Sequence, residues 1–184
     1  QPPFNQTPRW PIVDKISEFF EVRPLPKELR QIPKEIDILL LVHPKGFDNF
    51  TLYAIDQFVL DGGRALVFVD SNAEVDVPPD GRMTSLPRSN FNKVLKGWGL
   101  RMSEGKIAGD LDTARRVNIR AGKKMSVVDY VVWLTLGQNN FSSNDTVTAG
   151  FRTINMAGAG ILEAIEIEGV NTTPLISTGP NSME

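Results

Sequence analysis

The chain has 184 residues, a formal net charge of −2 and no cysteine. Disulfides, thiolate metal sites and a cysteine nucleophile are excluded, and so is a broad basic footprint for nucleic acid. One domain of this length buries roughly two-thirds of its unfolded surface, and no apolar run approaches the ~18 residues that cross a bilayer as a helix.

Gln1 to Pro8 is rich in Pro and Gln and reads as a loop. Pro11 suits the first turn of a helix, and Ile12, Val13, Ile16, Phe19 and Phe20 continue it as one stripe. Val22 to Leu25 is expected as a short strand, and Lys27 to Lys34 as a surface connection.

The organising stretch runs from Ile36 to Asp70. Ile36 to Val42 is almost wholly apolar, as a strand covered on both faces must be. Pro44 ends it, and Lys45-Gly46 is a turn pair. Asp48 or Asn49 caps the following helix, whose apolar stripe is Leu52, Ile55, Phe58 and Val59. Gly62-Gly63 supplies the left-handed residue past its end, and Ala65 to Val69 is a second apolar strand. A β-α-β unit of this kind pairs its strands in parallel.

The pattern then changes. Ser71 to Pro87 reads as a long loop. Asn90 to Trp98 is a short helix with Phe91, Val94, Leu95 and Trp98 on one face. Leu100 to Met102 opens a strand, and Lys106 to Leu111 is a strand or a turn. In Ala114 to Ala121, Val117 and Ile119 alternate with Arg116, Asn118 and Arg120, which suggests a half-exposed antiparallel strand. Gly122-Lys123 is its turn, and Val127 to Leu136 is a further β-rich run in which Tyr130 and Trp133 are expected in the core. After the polar loop 137–145, Ile161 to Ile167 alternates like an edge strand, and Leu175-Ile176 closes the chain as a short strand. The fold expected from these elements is α/β, a parallel core with a β-rich C-terminal extension.

Ligands of open parallel sheets sit beyond the carboxyl ends of the strands. Those ends are His43-Pro44-Lys45 and Asp70-Ser71-Asn72, so His43, Lys45, Asp70, Ser71 and Asn72 form the candidate binding pocket. His43 is the single histidine, which excludes a multi-histidine metal site. It suits a general base or a hydrogen-bonded structural role. Lys45 suits an anion or solvent. Asp70 ends an apolar strand as phospho-acceptor aspartates do, but lacks the further carboxylates that chemistry needs; a turn role is the alternative. Gly62-Gly63 follows a helix and precedes a strand, the reverse of a dinucleotide loop. Asp110 and Asp112 are two carboxylates without a defined cation loop. Arg115-Arg116 and Lys123-Lys124 flank a strand and its turn, where they meet solvent, an acidic partner or lipid headgroups. No cofactor and no resident metal is expected.

Several stretches carry a resemblance. They are DILLLVHPKGFDNFTLYAIDQFVLDGGRALVFVD, NKVLKGWGL at 92–100, KIAGDL at 106–111, NNFSSNDTVTAGF ending at Phe151, INMAGAGIL at 154–162 and PLISTGPNSM near the C-terminus. Together they resemble the bacterial ABC-type gliding-motility auxiliary component family. The resemblance implies a mainly parallel sheet flanked by helices, of the flavodoxin or class I glutamine-amidotransferase-like type. It also implies an extracytoplasmic domain at the bacterial inner membrane, anchored by segments outside this stretch, with ABC permease and ATPase subunits as partners. It brings no catalytic residues to carry over. That fold places a nucleophile on a sharp strand-to-helix turn; Ser71 is nearest, without a surrounding Gly-x-Ser-x-Gly. Residues 1–184 are therefore expected to be a single soluble domain, a piece of a longer membrane-anchored protein. Its expected role is non-catalytic binding of a small solute or glycan, or partner docking. The alternatives are a hydrolase using Ser71 and His43, and a purely structural scaffold.

Overall fold

A computed structural model describes residues 10–73, 88–122 and 124–184. The expected loop therefore lies largely outside the described residues, at 74–87, as does Lys123 of the expected turn.

The β-α-β unit is present. Strand β1 (Ile38–Val42) pairs in parallel with β2 (Arg64–Phe68), with Leu40 opposite Leu66 and Val42 opposite Phe68. Between them runs α2 (Asn49–Leu60), while α1 (Pro11–Ser17) precedes the unit. Asp48 is the cap of α2: its carboxylate accepts the Thr51 backbone N–H at 2.7 Å, satisfying one of the orphan donors of the first turn. Gly62 takes φ 92° just past the helix, a conformation that costs an L side chain and not glycine. Helix α2 buries Thr51, Ala54 and Ile55. Thr51 ties down the preceding segment, its Oγ1 accepting from the Leu29 N–H at 3.0 Å.

The core lies on one side of β1–β2. Leu39 and Ile55 pack there with Ile32, with Phe91, Val94 and Leu95 around α3 (Asn92–Gly97), and with Met102 of β3 (Leu100–Ile107). Phe91 is fully buried, edge-to-face with Trp98 at 5.8 Å between centroids. The Trp98 indole N–H donates to Asp56 of α2 at 3.0 Å, which locks α3 to α2.

Beyond β3 the chain is antiparallel. Strand β4 (Gly109–Asp110) pairs with β9 (Ser182–Met183), and β3 pairs with β8 (Gly160–Ala164). Strands β5 (Ala114–Ala121), β6 (Lys124–Leu136) and β7 (Ile154–Ala157) form a sheet in the order β5-β6-β7. Across β3–β8, Arg101 and Ser103 both bond to Glu163, and together they hold its carboxyl below the usual carboxylate value.

The expectation of a mainly parallel, flavodoxin- or amidotransferase-like sheet is therefore corrected: among the described residues the one parallel pair is β1–β2, and the other three sheets are antiparallel. A parallel pairing needs a crossover of a dozen or more residues, which the stretch through α2 supplies for β1–β2. Strand β5 ends at Ala121 and β6 starts at Lys124, a spacing too short for anything but an antiparallel pairing.

Several local expectations also change. Val22 to Leu25 forms no strand. Helix α1 ends at Ser17 and buries no residue, leaving Phe19 and Phe20 exposed. Ile36 to Val42 is not covered on both faces: Ile38, Leu40 and Val42 face solvent, as do Leu66 and Phe68 opposite them. Both helices that line the core sit on the other face. Tyr130 and Trp133 are exposed rather than core, stacked edge-to-face on each other at 5.3 Å. Leu175-Ile176 contributes a single bridge, Phe141 to Ile176.

Candidate functional site

The carboxyl ends of β1 and β2 are joined by a residue from far along the chain. Ser89, 3% exposed, accepts the Asp70 backbone N–H on its hydroxyl at 2.9 Å and contacts His43 Nδ1 at 2.9 Å. Its own N–H donates to the Asp70 carbonyl at 2.8 Å, and the Asn90 N–H donates to the Pro44 carbonyl at 2.8 Å. Residues 89–90 thus close the strand ends as a clamp. Local sequence pattern gives no sign of it, because both partners are set by tertiary contact. His43 takes a left-handed φ of 51°. Such a conformation is uncommon for a non-glycine residue and persists only where surroundings over-determine it; here its N–H continues the ladder to the Phe68 carbonyl at 2.8 Å.

Beside the clamp lies a cleft of about 540 Å³, lined by Lys27, Lys45, Gly46, Arg88, Ser89, Asn90 and Glu104. That volume is within the usual range for small-molecule sites, about 300–1,000 Å³. Among the described residues the lining carries Lys27, Lys45 and Arg88 with Glu104, and Glu104 is engaged by Arg88 at 3.0 Å. Gly46 has φ 64°, and a Cβ there would meet Lys27 Nζ at 3.0 Å, so glycine is what lets that ammonium approach the turn. A concave surface of this sign attracts anions.

The predicted residues divide. Lys45 lines the cleft, and His43 and the Asp70 backbone bind its wall through Ser89. The Asp70 carboxylate accepts the Asn72 N–H at 2.8 Å, a local turn. Ser71 is buried and donates its hydroxyl to the Lys106 carbonyl at 2.5 Å, packed so closely on β8 that a Cβ on Gly160 would sit 3.1 Å from its Oγ. Sequence reasoning missed Lys27, Arg88 and Ser89.

A larger cleft, about 710 Å³, lies at the opposite ends of the strands, with Ile36, Asp37, Asp61, Gly62 and Arg64 in its wall. Its charges are mixed in sign, and open α/β units bind ligands at the carboxyl ends, so the cleft at Lys45 is the candidate site.

Asp110 and Asp112 spend their oxygens on the chain itself. Asp110, with no exposed surface, accepts backbone N–H groups of Asp112 at 2.8 Å and Gly179 at 2.6 Å. Asp112 accepts the Asn181 amide at 3.0 Å. Burial pushes the Asp110 carboxyl up, but the N–H groups of Gly179, Asp112 and Thr113 outweigh it and hold the carboxyl below its ordinary 3.8. The pair pins the C-terminal segment. Among the described residues no group of three His, Cys, Asp or Glu is arranged to hold a metal.

The family model described as an ABC-type uncharacterized transport system matches residues 1–184, and the chain belongs to that family. It is thus an auxiliary component of an ABC transport system. No curated protein and no solved structure matches it. Among the described residues no helix is long and apolar enough to cross a membrane.

Proposed function

We propose that this chain is a non-catalytic, extracytoplasmic binding domain of a gliding-motility-type ABC transport system. It captures a small anionic solute, of the class of acidic saccharides, and presents it to the permease and ATPase assembly. Segments outside this chain anchor it at the bacterial inner membrane. The observation that carries the reading is the strand-end cleft whose described lining holds Lys27, Lys45 and Arg88, with Glu104 held by Arg88. The hydrolase alternative would need an accessible hydroxyl. Ser89 beside His43 is buried and already accepts the Asp70 N–H, and Ser71 is committed to Lys106.

Calorimetric titration against acidic and neutral saccharides of matched size tests this, alongside titration against the reconstituted transporter subunits. The acidic series is expected to bind and the neutral series not. Lys27→Ala and Lys45→Ala should each weaken binding severalfold. Binding to subunits with no saccharide affinity would make the chain a scaffold instead. Turnover of an ester or amide substrate lost in Ser89→Ala would make it an enzyme.

A further inference from the structure

Beyond Trp133, strand β6 leaves its second neighbour, since β7 pairs only with Trp133 to Leu136. Residues 115–121 and 124–130 continue as a two-stranded ribbon. The ladder from Arg115 opposite Tyr130 to Arg120 opposite Met125 makes the ribbon about 20 Å long at ~3.4 Å per residue. It begins at an irregularity, where one step from Ala114 to Arg115 matches four on β6, from Leu134 to Tyr130. Bulges of this kind bend a strand out of its sheet.

The composition of the ribbon is unlike that of the rest of the chain. Its cations are Arg115, Arg116, Arg120, Lys123 and Lys124, against the single carboxylate Asp129. That is a net +4 in a chain of net −2, so everything else carries −6. Cross-strand partners share a face. One face therefore carries Arg116, Asn118 and Arg120 with Met125, Val127 and Asp129. Met125 and Val127 there are 65% and 66% exposed. An isolated two-stranded ribbon is marginal in water, and exposed apolar side chains set among arginines are the composition of surfaces that lie in a membrane interface.

We infer that the β5–β6 ribbon docks by this face on an anionic lipid surface, with Met125 and Val127 entering the headgroup boundary and Arg116 and Arg120 on the phosphates. An ABC transport component works beside a bilayer, and the charge segregation turns the acidic body away from it. The contact is independent of the solute cleft, so either assignment survives failure of the other.

The absence of cysteine makes the test clean. Met125→Cys in the intact protein carries an environment-sensitive fluorophore; Val147→Cys, exposed elsewhere, carries the same label as a control. Vesicles of phosphatidylcholine with phosphatidylglycerol should blue-shift and brighten the Met125 label, leave the Val147 label unchanged, and sediment the protein. Pure phosphatidylcholine should not. Arg116→Ala and Arg120→Ala should each lower the partition coefficient about fivefold, from ~1 kcal/mol per cation near such a surface. Circular dichroism confirms that both variants fold. Sedimentation without a shift at Met125, or equal binding to soluble polyglutamate, would mean charge attraction to an acidic protein surface and would overturn the proposal. So would no binding to anionic vesicles.

Discussion

The pair β1–β2 and the ribbon of β5–β6 are built from similar apolar residues, yet they meet water differently. In β1–β2, alternate residues divide the work: Leu39, Leu41, Ala65 and Val67 join the core under α2 and α3, while Ile38, Leu40, Val42, Leu66 and Phe68 stay exposed. In the ribbon both faces are open, with Ile119 and Tyr130 exposed on one and Met125 and Val127 on the other. A β pattern thus states that a strand exists. Whether its apolar residues bear stability depends on what lies over them: α2 packs on β2 and α3 on β3, while Met125 and Val127 of the ribbon stay exposed. The comparison predicts that equivalent truncations in the two regions differ severalfold in cost.

The largest loss is expected at Phe91. It has no exposed surface and fills the space between α3, α2 and Trp98. Phe91→Ala should cost about 3–5 kcal/mol, read as a lower urea midpoint with an unchanged slope. A loss below about 1 kcal/mol would mean that this core is loosely packed, and the contrast with the ribbon would collapse.

Ser89→Ala comes next. It removes the acceptor of the Asp70 N–H at the buried strand ends, and an orphaned buried donor costs about 1–3 kcal/mol. Faster amide exchange at Asp70 should accompany the loss. Unchanged exchange and stability would show that the clamp does not hold the cleft wall.

Asp110 contrasts the pinned C-terminal segment with the free ribbon, and its effect is in the pH dependence. Its folded carboxyl is held below the ordinary value. Its contribution is therefore fully present above the unfolded pKa near 3.8, and is lost as pH falls through the lower folded value. Asp110→Asn keeps an acceptor but removes the titration. The variant should lose less stability than the wild type as the pH falls below the unfolded value near 3.8, as followed by thermal melts at successively lower pH. Parallel acid profiles would assign the acid sensitivity to other carboxylates, Glu163 among them.

Part of the molecule was legible without coordinates, for physical reasons. The β-α-β unit announces itself because each device is local: the Asp48 cap, the helical stripe and the Gly62 stop each act within a few residues. The short helix at Asn92 is legible in the same way. Sheet direction was not, because one strong parallel signature was extended to strands whose partners lie far along the chain, as β3 finds β8 across some sixty residues. The continuous run ILLLV implied two covered faces, but apolar sequence does not supply the second covering layer. At the cleft, Lys45 and His43 followed from the rule about strand ends. Lys27 and Ser89 did not, since nothing near them in sequence marks the approach of Gly46 or of the Asp70 N–H.

The smallest effect is expected where the pattern looks as apolar as anywhere. Met125→Ser and Val127→Ser change side chains about two-thirds exposed on an open ribbon, and each should move stability by no more than about 0.5 kcal/mol. Urea denaturation of the isolated protein reads this directly. If either cost approaches that of Phe91→Ala, the ribbon is covered in solution and its exposed residues are a core by another route. If both are small while anionic vesicles protect the wild-type ribbon from protease and not the Met125→Ser, Val127→Ser double variant, those side chains serve an external surface rather than the fold. In that case the two regions part by role: the apolar residues under α2 and α3 hold the domain together, and those of the ribbon hold it to something else.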